Sequence, residues 1–120
     1  MGVYHIRCEN DGYLLERETG GIFVEMSSKK GLFRLSHNDD GTISLFSLTL
    51  NKYLDSDIHF KRQDKIAKFE LRSPKKLSAD GTIVLALGMK FLCVSKFGHY
   101  FEDEDDQSFG KFFTFEPVKA

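Results

Sequence analysis

The residues of this 120-residue chain best suited to chemistry are four histidines (His5, His37, His59, His99), two cysteines (Cys8, Cys93) and an acidic run from Glu102 to Asp106. None of them falls into a reactive pattern. HExxH, GxSxG and the phosphate-cradling GxxxxGK are all missing from the sequence, so metal-assisted hydrolysis, a nucleophile elbow and nucleotide binding have no sequence support. His5 and Cys8 are close in sequence, but an odd and an even position of one strand point to opposite faces. Two cysteines without CxxC spacing make neither a disulfide framework nor a zinc or redox motif, and they read as reduced thiols of a cytosolic protein. The acidic run lacks the alternating ligands, central glycine and distal glutamate of a calcium loop and reads as a solvated turn. Ser73-Pro74-Lys75-Lys76 has the form of a proline-directed phosphorylation site, and Pro74 equally suits a turn between strands. The expected chemistry is therefore recognition, with no enzyme activity, no metal and no cofactor.

Charge gives the one positive lead. Residues 52 to 76 carry eight basic side chains (Lys52, Lys61, Arg62, Lys65, Lys68, Arg72, Lys75, Lys76) against four acidic ones (Asp55, Asp57, Asp64, Glu70), a local excess of four. Net charge over the whole chain is -1, so its overall field does not draw it to nucleic acid or anionic lipid. A local basic patch can still meet an acidic protein surface without any deep pocket. Lys61, Arg62, Lys65, Lys75 and Lys76 are the candidate partner-binding residues. The plainer alternative is that these lysines are solvated loop and edge-strand residues that protect a sheet.

Such loops need a framework, and the sequence repeats itself. DGTI stands at 40 to 43 and again at 80 to 83. Counting from Gly2, Gly41 and Gly81 gives three units, about 1-40, 41-80 and 81-120. Each opens with alternation (Tyr4, Ile6, Cys8; Ile43, Leu45, Ser47; Ile83, Leu85, Leu87), the period of a strand with one buried face. An aromatic-leucine pair follows in each: Tyr13-Leu14, Tyr53-Leu54 and Phe91-Leu92. Apolar strands close the units at Phe33-Arg34-Leu35, Phe69-Glu70-Leu71 and around Phe113-Thr114-Phe115. Asp-Gly between apolar strands predicts a two-residue type I′ turn linking each unit to the next. No segment shows a capped helical stripe, so almost no helix is expected. Short strands with turn residues between them indicate a closed barrel or a sandwich, and three four-strand units favour closure: an all-β chain, a β-trefoil with pseudo-threefold symmetry and a six-stranded barrel closed by three hairpins, in a single domain over 1-120. With twelve Phe and no Trp, phenylalanine must fill much of the core. No stretch approaches about 18 apolar residues, so no membrane span is expected, and the N-terminus does not read as a secretory signal.

ENDGYLLERETGGIFVEM, LNKYLDSD and MKFLCVS resemble the fascin- and hisactophilin-like β-trefoil family, in which a Gly or Asn, a Lys, an aromatic and a Leu open the second strand of each unit. The resemblance covers all three units. It implies a cytoplasmic protein at the cell cortex or cytoskeleton, a monomer, with F-actin as partner and peripheral membrane contact through lipidation at Gly2. The chain departs from the family in having only four histidines and in placing Ile6 where the myristoylation pattern has Ser or Thr. Two other trefoil patterns leave an alternative open. KFLCVSKFGHYFEDED is similar to the fibroblast-growth-factor family, but lacks its basic heparin-binding cluster. Gln107-Ser108-Phe109 fits the ricin-type glycan motif, in one unit of three.

Overall fold

The computed structural model describes residues 2-8, 12-72, 82-103 and 112-119. Among these there are eleven strands and no helix: β1 (Val3–Cys8), β2 (Tyr13–Arg17), β3 (Gly21–Glu25), β4 (Phe33–His37), β5 (Ile43–Ser47), β6 (Lys52–Tyr53), β7 (Glu70–Arg72), β8 (Val84–Leu87), β9 (Lys90–Ser95), β10 (Gly98–Asp103) and β11 (Phe113–Pro117). Period-two alternation is visible in β1, where Ile6 and Cys8 are buried and Arg7 between them is exposed. No helix is present among the described residues, so none is long and apolar enough to cross a membrane.

The strands form two curled antiparallel sheets, one ordered β3-β2-β1-β4-β5-β6 with β11 also on β1, the other β10-β9-β8-β7. Single bridges, Ile43 to Phe69 and Ile83 to Phe113, link them. Followed in order, the pairings run from β1 to β4 (Tyr4 opposite Phe33) and β5, over the first bridge to β7 and β8, over the second to β11, and back to β1.

Inside these sheets lies one main core cluster. Ile6, Leu45 and Leu85 from the opening strands, Leu14, Leu54 and Leu92 from the aromatic-leucine pairs, and Phe33, Phe69 and Phe113 from the closing strands are all essentially without solvent contact. With Phe60, the last three are among the largest fully buried side chains, so phenylalanine does fill much of the core. At about 25 cal/mol per Å² of apolar surface, each stabilises the fold by roughly 1.5–3 kcal/mol. β8 is buried on both faces, because Val84 and Ala86 pack with Phe91 and Phe112 in a second cluster.

Two expectations about turns need correction. The connection at Asp40-Gly41 is longer than a two-residue type I′ turn. Thr42 O accepts from Asn38 N, and Asn38 O accepts from Gly41 N, while Gly41 alone has positive φ, at 86°. This is a type I turn followed by a left-handed glycine, the three-residue hairpin form. It prevails because the Asp40 carboxylate is engaged locally, accepting from the backbone N–H and hydroxyl of Thr42. The second copy, Asp80-Gly81, lies outside the described residues. The other correction concerns the hairpins. β2 pairs with β3 and β9 with β10 as expected, but in the middle of the chain β6 is only two residues long and is followed by a loop instead of a return strand.

Candidate binding surface

That loop, residues 54 to 68, carries three of the candidate basic residues. Its shape follows from one buried carboxylate. Asp55, only 1% exposed, accepts four backbone N–H bonds: Oδ1 from Asp57 and His59, both at 2.9 Å, and Oδ2 from Lys61 at 3.1 Å and Arg62 at 2.8 Å. Burial alone would raise its pKa. The N–H groups of Arg62, His59, Lys61 and Asp57 outweigh burial and hold it below the ordinary value of 3.8. Asp55 is therefore buried and is not one of the acids that offset the basic patch at the surface. Its charge is absorbed by backbone dipoles inside the loop.

Other contacts complete the loop. The Gln63 side-chain amide stands in for a neighbouring strand, accepting from Tyr53 N at 2.8 Å and donating to Tyr53 O at 2.9 Å. Ser56 N donates to Lys65 O and Ala67 N to Leu54 O. Ile58 and Phe60 are buried in the main core and anchor the loop's inner side. Ile58 sits at φ 61°, a left-handed conformation rarely taken by a β-branched residue. Its carbonyl presses on Gly21, where a Cβ would come within 1.9 Å of the Ile58 oxygen. Glycine at 21 is thus required for the loop to lie down on β3.

With its inner side occupied, the loop turns Lys61, Arg62 and Lys65 to solvent, and all three are exposed. They make no ion pair among the described residues, whereas Arg72 pairs with Glu70 at 2.8 Å. Lys52 and Lys68 are exposed as well. The structure therefore brings Lys61, Arg62 and Lys65 together on one loop. Lys75 and Lys76, with the Ser73-Pro74 site, lie outside the described residues, as do Glu104 to Asp106 and Gln107-Ser108-Phe109. The described part of the acidic run ends β10, where Asp103 pairs with Lys90 at 3.0 Å. Gly2 is partly buried, and its carbonyl accepts from Leu35 N at 3.3 Å.

Sequence reasoning missed Asp55 and Gln63. The Asp55-Ser56-Asp57 segment does carry a signal, since aspartate caps the N–H two residues on, but nothing local foretells the further bonds to residues 59, 61 and 62. His5 and Cys8 are apart, as their parity required: His5 Nδ1 lies 2.9 Å from Gly31 O, and Cys8 Sγ–H donates weakly to Val94 O. Among the described residues no cluster of three or more His, Cys, Asp or Glu is placed to hold a metal ion. Compared with known proteins, the chain matches no family model, and no curated protein matches it either.

Proposed function

We propose that the chain is a β-trefoil of the fascin- and hisactophilin-like kind, a non-enzymatic, monomeric cytoplasmic module that binds F-actin through the loop held by Asp55. Support for the trefoil comes from the threefold recurrence of one pairing, Tyr4 with Phe33, Ile43 with Phe69 and Ile83 with Phe113, within a cycle of six strands. The burial of Leu14, Leu54 and Leu92 at matching positions supports it too. In this reading the Asp55 loop replaces the hairpin of the middle unit.

The observation that carries the binding proposal is that Lys61, Arg62 and Lys65 are exposed and make no ion pair among the described residues, on a loop that turns one of its three aspartates, Asp55, inward. Pre-shaped loops bind at lower entropic cost than floppy ones, and surface cations attract an acidic partner over a range set by salt. Co-sedimentation with filamentous actin at low and at physiological salt tests the reading. Saturable pelleting, weaker at higher salt and lost when Lys61, Arg62, Lys65, Lys75 and Lys76 are neutralised, is the expected result. An equal yield in the pellet with and without filaments would end the actin proposal and turn the search to glycans and receptors.

A further inference from the structure

The Asp55 loop does not stand alone at the surface. The ring of His59 meets that of His99 on β10, with centroids 5.8 Å apart, so the loop and the β9–β10 hairpin are neighbours. The hairpin turns through Lys96-Phe97, and Phe97 is 84% exposed, the most exposed of the large hydrophobic residues described. This exposure is built into the turn. Ser95 Oγ accepts from Phe97 N at 3.2 Å, Ser95 pairs with Gly98, and the Lys96 ammonium stands 5.2 Å from the Phe97 ring centre.

Phe97 is two residues from His99, and Lys61 two from His59. Each step spans at most about 7 Å of chain. With the ring contact between them, Phe97 and the basic loop fall inside roughly 30 Å, the width of a typical partner footprint of about 800 Å². Interfaces concentrate their energy in an aromatic or arginine anchor ringed by polar contacts. Isolated exposed apolar residues are ordinary, but one fixed at a turn tip within a partner footprint of cations that make no ion pair among the described residues has the composition of such an anchor.

We propose that Phe97 is the apolar anchor of the same binding surface, with Lys61, Arg62, Lys65 and Lys96 as its charged surround, and that its occupant is an acidic protein segment bearing an apolar side chain. This rests on the binding role of the Asp55 loop but not on actin being the partner. Charge complementarity favours this occupant. Four exposed cations without acidic partners among the described residues call for carboxylates, and the ring calls for an apolar side chain to pack against. A nucleic-acid strand fits less well, because a single exposed ring gives only one stacking platform where strand binding uses successive ones.

The test is an amide-shift NMR titration with a short Glu- and Asp-rich peptide carrying one central leucine, on the wild type and on Phe97→Ser. Because Phe97 is exposed, the variant should fold normally, which its unbound spectrum verifies. The expected result is shift changes at both 61–65 and 95–98, with affinity reduced about tenfold in the variant. Changes confined to the basic loop, or equal affinity of the two proteins, would overturn the anchor and leave the loop's binding role standing. Peptide binding through both segments without actin pelleting would keep the anchor and remove actin. Phe97-dependent pelleting with phosphatidylserine vesicles, without any response to peptide, would overturn it in favour of a lipid surface.

Discussion

The imidazole of His59 stands edge-on to that of His99, with centroids 5.8 Å apart and planes at 87°, and this contact joins the Asp55 loop to the β9–β10 hairpin. His59 Nδ1 is buried without a hydrogen-bond partner among the described residues. Burial first, and then the neighbouring His59, holds the pKa of His99 below its ordinary 6.5. The folded state therefore takes up the proton on His99 less readily than the unfolded chain does. The stability linked to neutral His99 is fully present above pH 6.5 and is lost as pH falls from there through the folded pKa. Urea midpoints at about pH 7.5 and about pH 5.5 should show this decline, and His99→Gln should flatten it. A wild-type midpoint that does not move between the two conditions would contradict the burial of neutral His99.

Asp55→Asn tests the loop's keystone. The carboxylate uses both oxygens as acceptors, and an amide must turn a donor toward one of the two N–H pairs. A loss of about 3 kcal/mol is expected, because two N–H groups lose their acceptor and the other two keep only a neutral one. Hydrogen exchange should quicken at residues 57, 59, 61 and 62 ahead of the core strands. With a folded pKa below 3.8, Asp55 supports the fold above its unfolded value and ceases to as pH falls through the folded one. The variant should accordingly lose less stability in acid than the wild type.

Glu16 shows the opposite sign. It is 7% exposed, and its Oε2 accepts from the Ser47 hydroxyl at 2.8 Å while Oε1 has no partner among the described residues. Burial raises its pKa above 4.5 against the opposing pull of the Ser47 bond and of the backbone N–H groups of Glu16 and Leu32. Its contribution to stability thus falls as pH rises from the unfolded value to the folded one, and is level beyond. Glu16→Gln retains an acceptor for Ser47 and removes the buried charge, so a gain of about 1 kcal/mol at neutral pH is expected in thermal unfolding. A lower melting temperature than wild type at that pH would show that the charge is stabilised by some other group.

Two glycine substitutions separate backbone strain from collision. Gly21→Ala and Gly41→Ala both place a side chain at positive φ, 83° and 86°. A Cβ at 41 meets nothing within 4 Å, whereas one at 21 strikes the Ile58 carbonyl. Gly41→Ala should cost about 1 kcal/mol. Gly21→Ala should cost about 3 kcal/mol and weaken partner binding, since the loop must lift from β3. Equal effects in chemical denaturation would mean that the loop does not rest on Gly21.

Period-two alternation by itself located the opening strands β1, β5 and β8, and the matching leucines and phenylalanines indicated which side chains fill the core. Both signals are local, because a strand buries every second residue whatever its neighbours are, and they carried through to Leu14, Leu54, Leu92, Phe33, Phe69 and Phe113. The shape of the candidate surface was not local. Asp55 and Lys61 looked like charges of one surface patch until four N–H groups, spread over residues 57 to 62, converged on the carboxylate. That convergence needs Ile58 and Phe60 in the core and Gly21 beneath the loop. The meeting of His59 with His99, and with it the nearness of Phe97 to the basic loop, likewise depends on packing between segments forty residues apart in sequence. Only the tertiary structure decides which charges turn inward and which ring stays in solvent, because burial is a property of the assembled layers and not of any one segment.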